Sequence, residues 1–368
     1  RQDFAETVLE RIRSPLVGPA VPYAVDFDRS LSITNIAAYL RLDLRLTEWL
    51  SVMAGARADG FAFRTVDRNF AEEDVFGERL GRDASDAFGF LAQPRGSVSV
   101  RLVEGLSWMT SAGLGARSSD AAALSEGELA PFAEVIAAET GLALELGDAP
   151  DVQRGTRLTA GLAGFLSRVS QDLDFDAANG RNTVSGPSLR SGATASGRLR
   201  HDGWLDTQLA VTYTRAHLPP PDASPLELFA GPRLPYIPEW LVRFDGAASH
   251  TVDIGGEPFR GSLALGALFL SPRPLPFEEF SQPWFVLDAA ATVRWRWVEL
   301  GVSAQNLLDL RYRTAEFNYV SNFGDPEAPP SMMAARHFTA APPLRILVSL
   351  TFHVQFEAPD PWADEEER

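Results

Sequence analysis

The chain has 368 residues, 45% of them apolar, and a formal net charge of −16 at pH 7. That acidic balance argues against nucleic-acid binding, which needs a cationic stripe against phosphate. The absence of cysteine removes disulfide frameworks, thiolate zinc sites and cysteine nucleophiles together, and the absence of lysine removes a phosphate-binding P-loop.

No apolar run approaches the ~18 residues of a membrane helix. The best candidates, "SPLVGPAVPYAV" (14–25) and "GSLALGALFLSP" (261–272), are short and contain proline. Residues 1–31 open on Arg1 with no signal-peptide pattern and read as an external loop or strand remnant of a longer protein.

From residue 32 the dominant period is two. In "SITNIAAYLRLDLRL", Ile36, Ala38, Leu40, Leu42, Leu44 and Leu46 fall on one face. Asn35, Tyr39, Arg41, Asp43 and Arg45 fall on the other. That is a strand with one apolar and one polar side. The pattern recurs and predicts about thirteen strands, at 32–46, 49–64, 93–103, 106–117, 132–146, 157–170, 189–200, 204–217, 236–250, 259–270, 284–295, 298–308 and 344–356. Each reaches the ~9–11 tilted residues that cross a bilayer.

Two kinds of connection alternate between them. Short ones lie at 47–49, 103–106, 201–204 and 296–297, with longer exceptions at 147–156 and 251–258. Long ones, rich in Pro, Gly, Asp and Glu, lie at 65–92, 118–131, 171–188, 218–235, 271–283 and 309–343. Short turns on one rim and long loops on the other are the signature of an outer-membrane barrel.

A soluble sandwich also alternates, but its strands are usually five or six residues long. Tryptophan at strand ends, as at Trp49, Trp204, Trp240, Trp284, Trp295 and Trp297, is a headgroup-level preference. The predicted fold is therefore all-β, a transmembrane antiparallel β-barrel. An odd count of strands cannot close antiparallel by itself, which points to part of a larger barrel.

The stretch "GVSAQNLLDLRYR" (301–313) alternates up to Gln305 and then breaks into Asn306, Leu307, Leu308 and Asp309, followed by Tyr312 between two arginines. It reads as an exit from the membrane, where backbone leaving hydrocarbon must be capped. Here the residues carry a resemblance. "AQNLLDLRYR" resembles the Asn-Leu-(Phe/Leu)-Asp-x-x-Tyr motif on the penultimate strand of TonB-dependent outer-membrane receptors, and a long loop and a final alternating strand follow it. "LGARSSDAAALSEGELAPFAEVIAAETG" (114–141), "LPYIPEWLVRFD" (234–245) and "SPRPLPFEEFSQPWFVLDAAATVRW" (271–295) resemble further segments of that family.

The resemblance implies a 22-stranded, plugged barrel of which 32–356 is the C-terminal part. The plug, the energy-coupling box and the first nine strands are then expected elsewhere. It implies uptake of a scarce solute (a ferric siderophore, a corrinoid or similar), coupling to the TonB complex through the plug region, outer-membrane lipids as surroundings, no cofactor and no catalysis. Family members usually stop at an aromatic residue ending the last strand. This chain continues "EAPDPWADEEER" (357–368), an acidic tail expected in the periplasm.

Site candidates are few. Arg41, Asp43, Arg45, Arg57 and Asp59 share the predicted lumen face and are candidates for ligand or plug contact, or for pairing with each other across strands. "DLDFDAANG" (172–180) begins like a calcium loop but has Ala177 where glycine is needed and Thr183 where a bidentate Glu belongs, so a solvated external loop is the simpler reading. The acidic stretch 70–88 is a loop that favours cationic or metal-bearing ligands or simply solvates a rim. Ser349 and His353 fall on one wet face, which raises a barrel hydrolase as a rival. A plugless channel of about fourteen strands and a soluble β-sandwich binding module are the others.

Overall fold

A computed structural model describes residues 2–13, 21–67, 84–118, 132–147, 155–176, 181–220, 227–320 and 333–354. The tail 357–368 and most of the acidic stretch 70–88 lie outside the described residues. In chain order the strands begin with β1 (Gln2–Arg13), β2 (Val21–Arg45), β3 (Leu50–Asp67), β4 (Ala84–Val103), β5 (Leu106–Ser118) and β6 (Phe132–Gly147). Next come β7 (Thr156–Asp176), β8 (Arg181–His201), β9 (Leu205–His217), β10 (Trp240–Ile254) and β11 (Glu257–Leu270). The last group is β12 (Pro274–Leu275), β13 (Glu279–Phe280), β14 (Trp284–Trp295), β15 (Val298–Gln305), β16 (Arg313–Val320), β17 (Ala334–Ala340) and β18 (Arg345–Phe352).

Fourteen of these form one antiparallel sheet in the order β1 to β11, β14, β15, β18; β12–β13 and β16–β17 are separate hairpins. Alternation counts about thirteen strands. The fourteenth arises because β1 pairs with the first part of β2, from Gln2 opposite Thr34 to Arg13 opposite Val21. Fourteen is even, so strand parity no longer argues against self-closure. The sheet order nevertheless leaves β1 and β18 as its two edges among the described residues.

Several strands outrun their predicted limits at the long-loop rim. β2 starts at Val21, β4 starts at Ala84, and β7 and β8 continue as a hairpin through most of 171–188. The ladder there needs no apolar face, so the hydrophobic period fades while the backbone pairing goes on. At the other rim, 251–258 is tighter than predicted. Gly255 and Gly256, at φ +66° and +85°, turn the chain between Ile254 and Glu257 in two residues. Both central positions of such a hairpin need positive φ, which glycine supplies without steric cost.

Directly opposed residues share a face. Arg41 faces Gly55, Tyr39 faces Arg57 and Ala37 faces Asp59, and on to β4 Arg57 faces Gln93 and Gly55 faces Arg95. The polar face therefore runs continuously from strand to strand. On the opposite face Ile36 and Leu40 are each 76% exposed, in the company of Leu42, Leu44, Phe88 and Phe90. A wall this apolar on its outer side belongs in hydrocarbon. The few deeply buried apolar side chains, including Phe63, Leu91, Val169 and Leu189, sit towards the long-loop rim.

Candidate functional site

The polar face carries charges that pair along a strand. Arg41 donates from Nε and Nη2 to the two Asp43 oxygens at 2.7 and 2.8 Å. Arg57 does the same to Asp59 at 2.6 and 2.7 Å. The expected cross-strand pairing of arginine with aspartate is corrected here. Residues i and i+2 share a face about 6.6 Å apart, within reach of a guanidinium, and the residues directly across from Arg41 and Asp43 are Gly55 and Met53.

Asp59 is the best satisfied of the group, since Asn35 Nδ2 and Gln93 Nε2 also donate to it at 2.9 and 2.7 Å. It ties three adjacent strands together and is 1% exposed. Arg45, at the tight-turn end of β2, makes no ion pair among the described residues.

The same pairing recurs where sequence reasoning did not look. Arg243 binds Asp245 at 2.7 and 3.0 Å, another Arg-x-Asp that pairs along one strand. Arg198 binds Asp206 at 2.8 and 2.5 Å across the β8–β9 hairpin. The repeated tripeptides RLD, RAD and RFD were the available signal. Asp172, weighed above as part of a calcium loop, is buried and takes Arg117, Arg190 and the Ser188 hydroxyl. Its carboxylate is committed to arginine. Among the described residues no group of three or more His, Asp or Glu is placed to hold a metal ion.

Between these pairs the polar wall is hollowed where small residues form its floor. Concavities of about 480 and 550 Å³ adjoin at Ser111, Glu139 and Phe165. Another of about 450 Å³ lies beside Asp206, Asp245, Asp288 and Gln305. Hydroxyls, amides and carboxylates over Ala and Gly suit hydrogen bonding to a closely approaching polar body. Ser349 and His353 stand four residues apart on β18 and its continuation, about 13 Å along an extended chain. His353 Nε2 instead meets Glu299 Oε2 at 3.2 Å. The two do not form a nucleophile–base pair.

The 306–312 motif builds a corner. Asn306, at φ 52°, ends β15; its backbone N–H donates to Asp288 Oδ1 at 2.8 Å. Its side chain accepts from Leu310 N–H at 3.1 Å and donates to the carbonyls of Leu310 and Pro342 at 3.0 and 3.3 Å. Asp309 Oδ1 accepts from Leu344 N–H at 2.9 Å. Leu307 N–H bonds Leu287 O at 2.7 Å, and Leu307 and Leu308 themselves stay exposed. Tyr312 stacks on Trp284 with ring centroids 5.2 Å apart. The two ends of the long excursion are thus clamped at its base.

Above that base β12–β13 and β16–β17 dock on each other. Phe277 and Glu278, both at positive φ, make the first hairpin's turn. Glu316, fully buried, accepts from Gln282 N–H at 2.7 Å and pairs with Arg313 at 2.8 Å. Arg336 reaches Glu279 at 2.8 Å, and Asn318 Nδ2 donates to Pro276 O at 3.0 Å. Burial pushes the Arg273 guanidinium below its ordinary pKa, and nearby Glu316 partly offsets this. Two short hairpins are marginal alone; the shared buried carboxylate makes them one body.

These features have counterparts in known proteins. The family described as TonB dependent receptor-like, beta-barrel matches residues 6–307. The ferric-catecholate import receptor Fiu of E. coli K12 superposes with a TM-score of 0.63 at 15% identity, covering 96% of this chain and 52% of its own. The ferric yersiniabactin uptake receptor FyuA of Yersinia pestis gives 0.64 at 15%, covering 90% and 47%. The copper transporter OprC gives 0.59 at 14%, covering 95% and 53%. The chain thus spans about half the length of these solved receptors. No curated protein matches it by sequence. With a fourteen-stranded antiparallel wall, one polar face and a family match over most of its length, the chain belongs to the TonB-dependent receptor β-barrel family.

Proposed function

We propose that this chain is the C-terminal part of the barrel of an outer-membrane receptor that takes up a scarce solute, a ferric siderophore or another metal chelate, using energy delivered through TonB. A plug and further strands, encoded outside these 368 residues, complete it. The observation that carries this reading is the pair of strand edges, β1 and β18, left open among the described residues. In hydrocarbon an open edge leaves a row of backbone N–H and C=O groups unsatisfied, so more strands are required between them. Similar structures of two ferric-chelate uptake receptors and a copper transporter support a metal-bearing cargo. The polar wall, with Arg41, Asp43, Arg45, Arg57 and Asp59, is then where the plug and the passing solute make contact, and no bond chemistry takes place.

One observation favours a second reading. β1 and β18 run in opposite directions, so fourteen strands have the parity to close as a plugless diffusion channel. Intact mass of the native protein from outer membranes separates the two. A species about twice 40.1 kDa, with ferric-chelate uptake abolished by a protonophore, supports the receptor. A species of 40.1 kDa with energy-independent flux overturns it in favour of the channel.

A further inference from the structure

The tight-turn rim has an uneven charge distribution on its polar face. One cross-strand row reads Thr251, Arg260, Arg294, Glu299, Thr351, each residue directly opposite the next. Two arginines therefore stand side by side, an arrangement that is unfavourable without a counterion. Neither makes an ion pair among the described residues; Arg294 Nε donates to the Arg296 carbonyl at 3.3 Å. Glu299, the one carboxylate in the row, holds His353. Of the other arginines at this rim, Arg157 meets Glu145 at 3.4 Å, Arg200 lies 3.9 Å from Asp206 and Arg296 pairs with Glu257. Arg45 and Arg101, on the distant strands β2 and β4, are single charges that make no ion pair among the described residues. Asp253 accepts from Gly256 N–H at 2.9 Å in the turn.

The last sheet strand delivers the missing charge to the same place. β18 runs towards this rim, and His353 N–H bonds Trp297 O at 2.8 Å beside the 296–297 turn. Beyond it the sequence carries Glu357, Asp360, Asp364, Glu365, Glu366 and Glu367 against a single arginine, Arg368. From β18 to Arg260 is three strand spacings, about 14 Å. Six residues past Val354 reach Asp360, and an extended chain covers about 20 Å in that length. The tail has the reach, the sign and the starting point.

We propose that the acidic tail 357–368 docks on the Arg260–Arg294 pair at the periplasmic mouth of the lumen. It supplies in cis the counterions that the wall lacks there. The inference rests on the polar face being the lumen and on the tight-turn rim being periplasmic.

The chain has no cysteine, so in a full-length receptor with any cysteine elsewhere replaced by serine, paired cysteines report proximity directly. With Thr251→Cys and Ala363→Cys, mild oxidation should give an intramolecular disulfide. Its yield should fall about fivefold when salt is raised to ~1 M or when Arg260→Gln and Arg294→Gln are added. Glu365→Gln, Glu366→Gln and Glu367→Gln together should give the same fall with the wall untouched, which covers the case of a wall variant that fails to fold. Equal yield in the charge-removed variants, or an equal yield from Ser51→Cys on a distant strand of the same rim, overturns the proposal. So does a cross-link between two chains. A membrane-impermeant maleimide should label Thr251→Cys only after the outer membrane is opened. Labelling of intact cells would instead overturn the orientation itself, and with it the reading of the barrel.

Discussion

Arg57 Nε lies 2.6 Å from Asp59 Oδ2, two residues along the same strand, and across the sheet Asp59 faces Ala37 and Leu91, neither of them charged. The pair is self-contained. With Asn35 and Gln93 closing on the same carboxylate, it stitches β2, β3 and β4 from the polar side. Asp59→Ala leaves three donors unmet and should cost about 1–3 kcal/mol, read as a lower temperature for loss of the folded band on unheated gels. Asp43→Ala, whose pair with Arg41 is more than half exposed on both sides, should leave that temperature unchanged. Equal effects would refute the ranking.

Asn306 answers for both ends of the 309–343 excursion. Asn306→Ala removes its bonds to Leu310 and Pro342 and also strains a left-handed position. Asn306→Gly keeps the backbone at ease and loses only the side-chain bonds. Both should raise cleavage of the excursion by protease on intact cells, Ala more than Gly by about 1 kcal/mol. A Gly variant as resistant as the parent would show that the side-chain clamp is dispensable.

Glu316 joins the two hairpins at the long-loop rim. Glu316→Ala strands Arg313 and the Gln282 N–H in a buried site and should loosen the cluster by about 2–3 kcal/mol. Trypsin, with only arginine to cut, should then cleave near Arg313 and Arg336 while the wall stays intact. Unchanged cleavage would mean that ring contacts such as Tyr236 with Phe317 suffice.

Gly192 lies directly opposite Phe165, whose ring covers it. A Cβ there would run into that ring and into the Tyr213 carbonyl oxygen. Gly192→Val should cost about 1–3 kcal/mol by forcing the neighbouring strand to shift, visible as reduced assembled protein. Gly197→Ala on the same strand, whose nearest contact would be an ordinary 3.9 Å, should assemble like the parent.

Strand positions were readable because a wall between lipid and water imposes a strict period of two on the stretch inside hydrocarbon. β14 (Trp284–Trp295) falls on its predicted limits. The reading faded where that constraint ends. Val21 to Leu31, Ala84 to Ala92 and the outer part of the β7–β8 hairpin are paired strands in stretches where Pro, Gly, Asp and Ser interrupt the apolar period. Composition alone could not separate them from loops. The Gly255-Gly256 turn was overlooked because polar flanking residues blurred the strand ends around it. The charged face was legible as a face but not as a set of bonds. Which aspartate an arginine takes depends on strand register, and a period of two carries no register.

The clamp at Asn306 and Asp309 bears on how such a protein can diversify. Leu310, Pro342 and Leu344 are fixed to the corner, so whatever lies between them transmits little to the wall beneath. Positions there that do not touch Trp284, Glu316 or Pro276 can change while the scaffold is held constant. At the opposite rim the two-residue Gly255-Gly256 turn leaves no room for an insertion. Epitope display or loop grafting is therefore better placed between the Asn306–Asp309 anchors than in that turn.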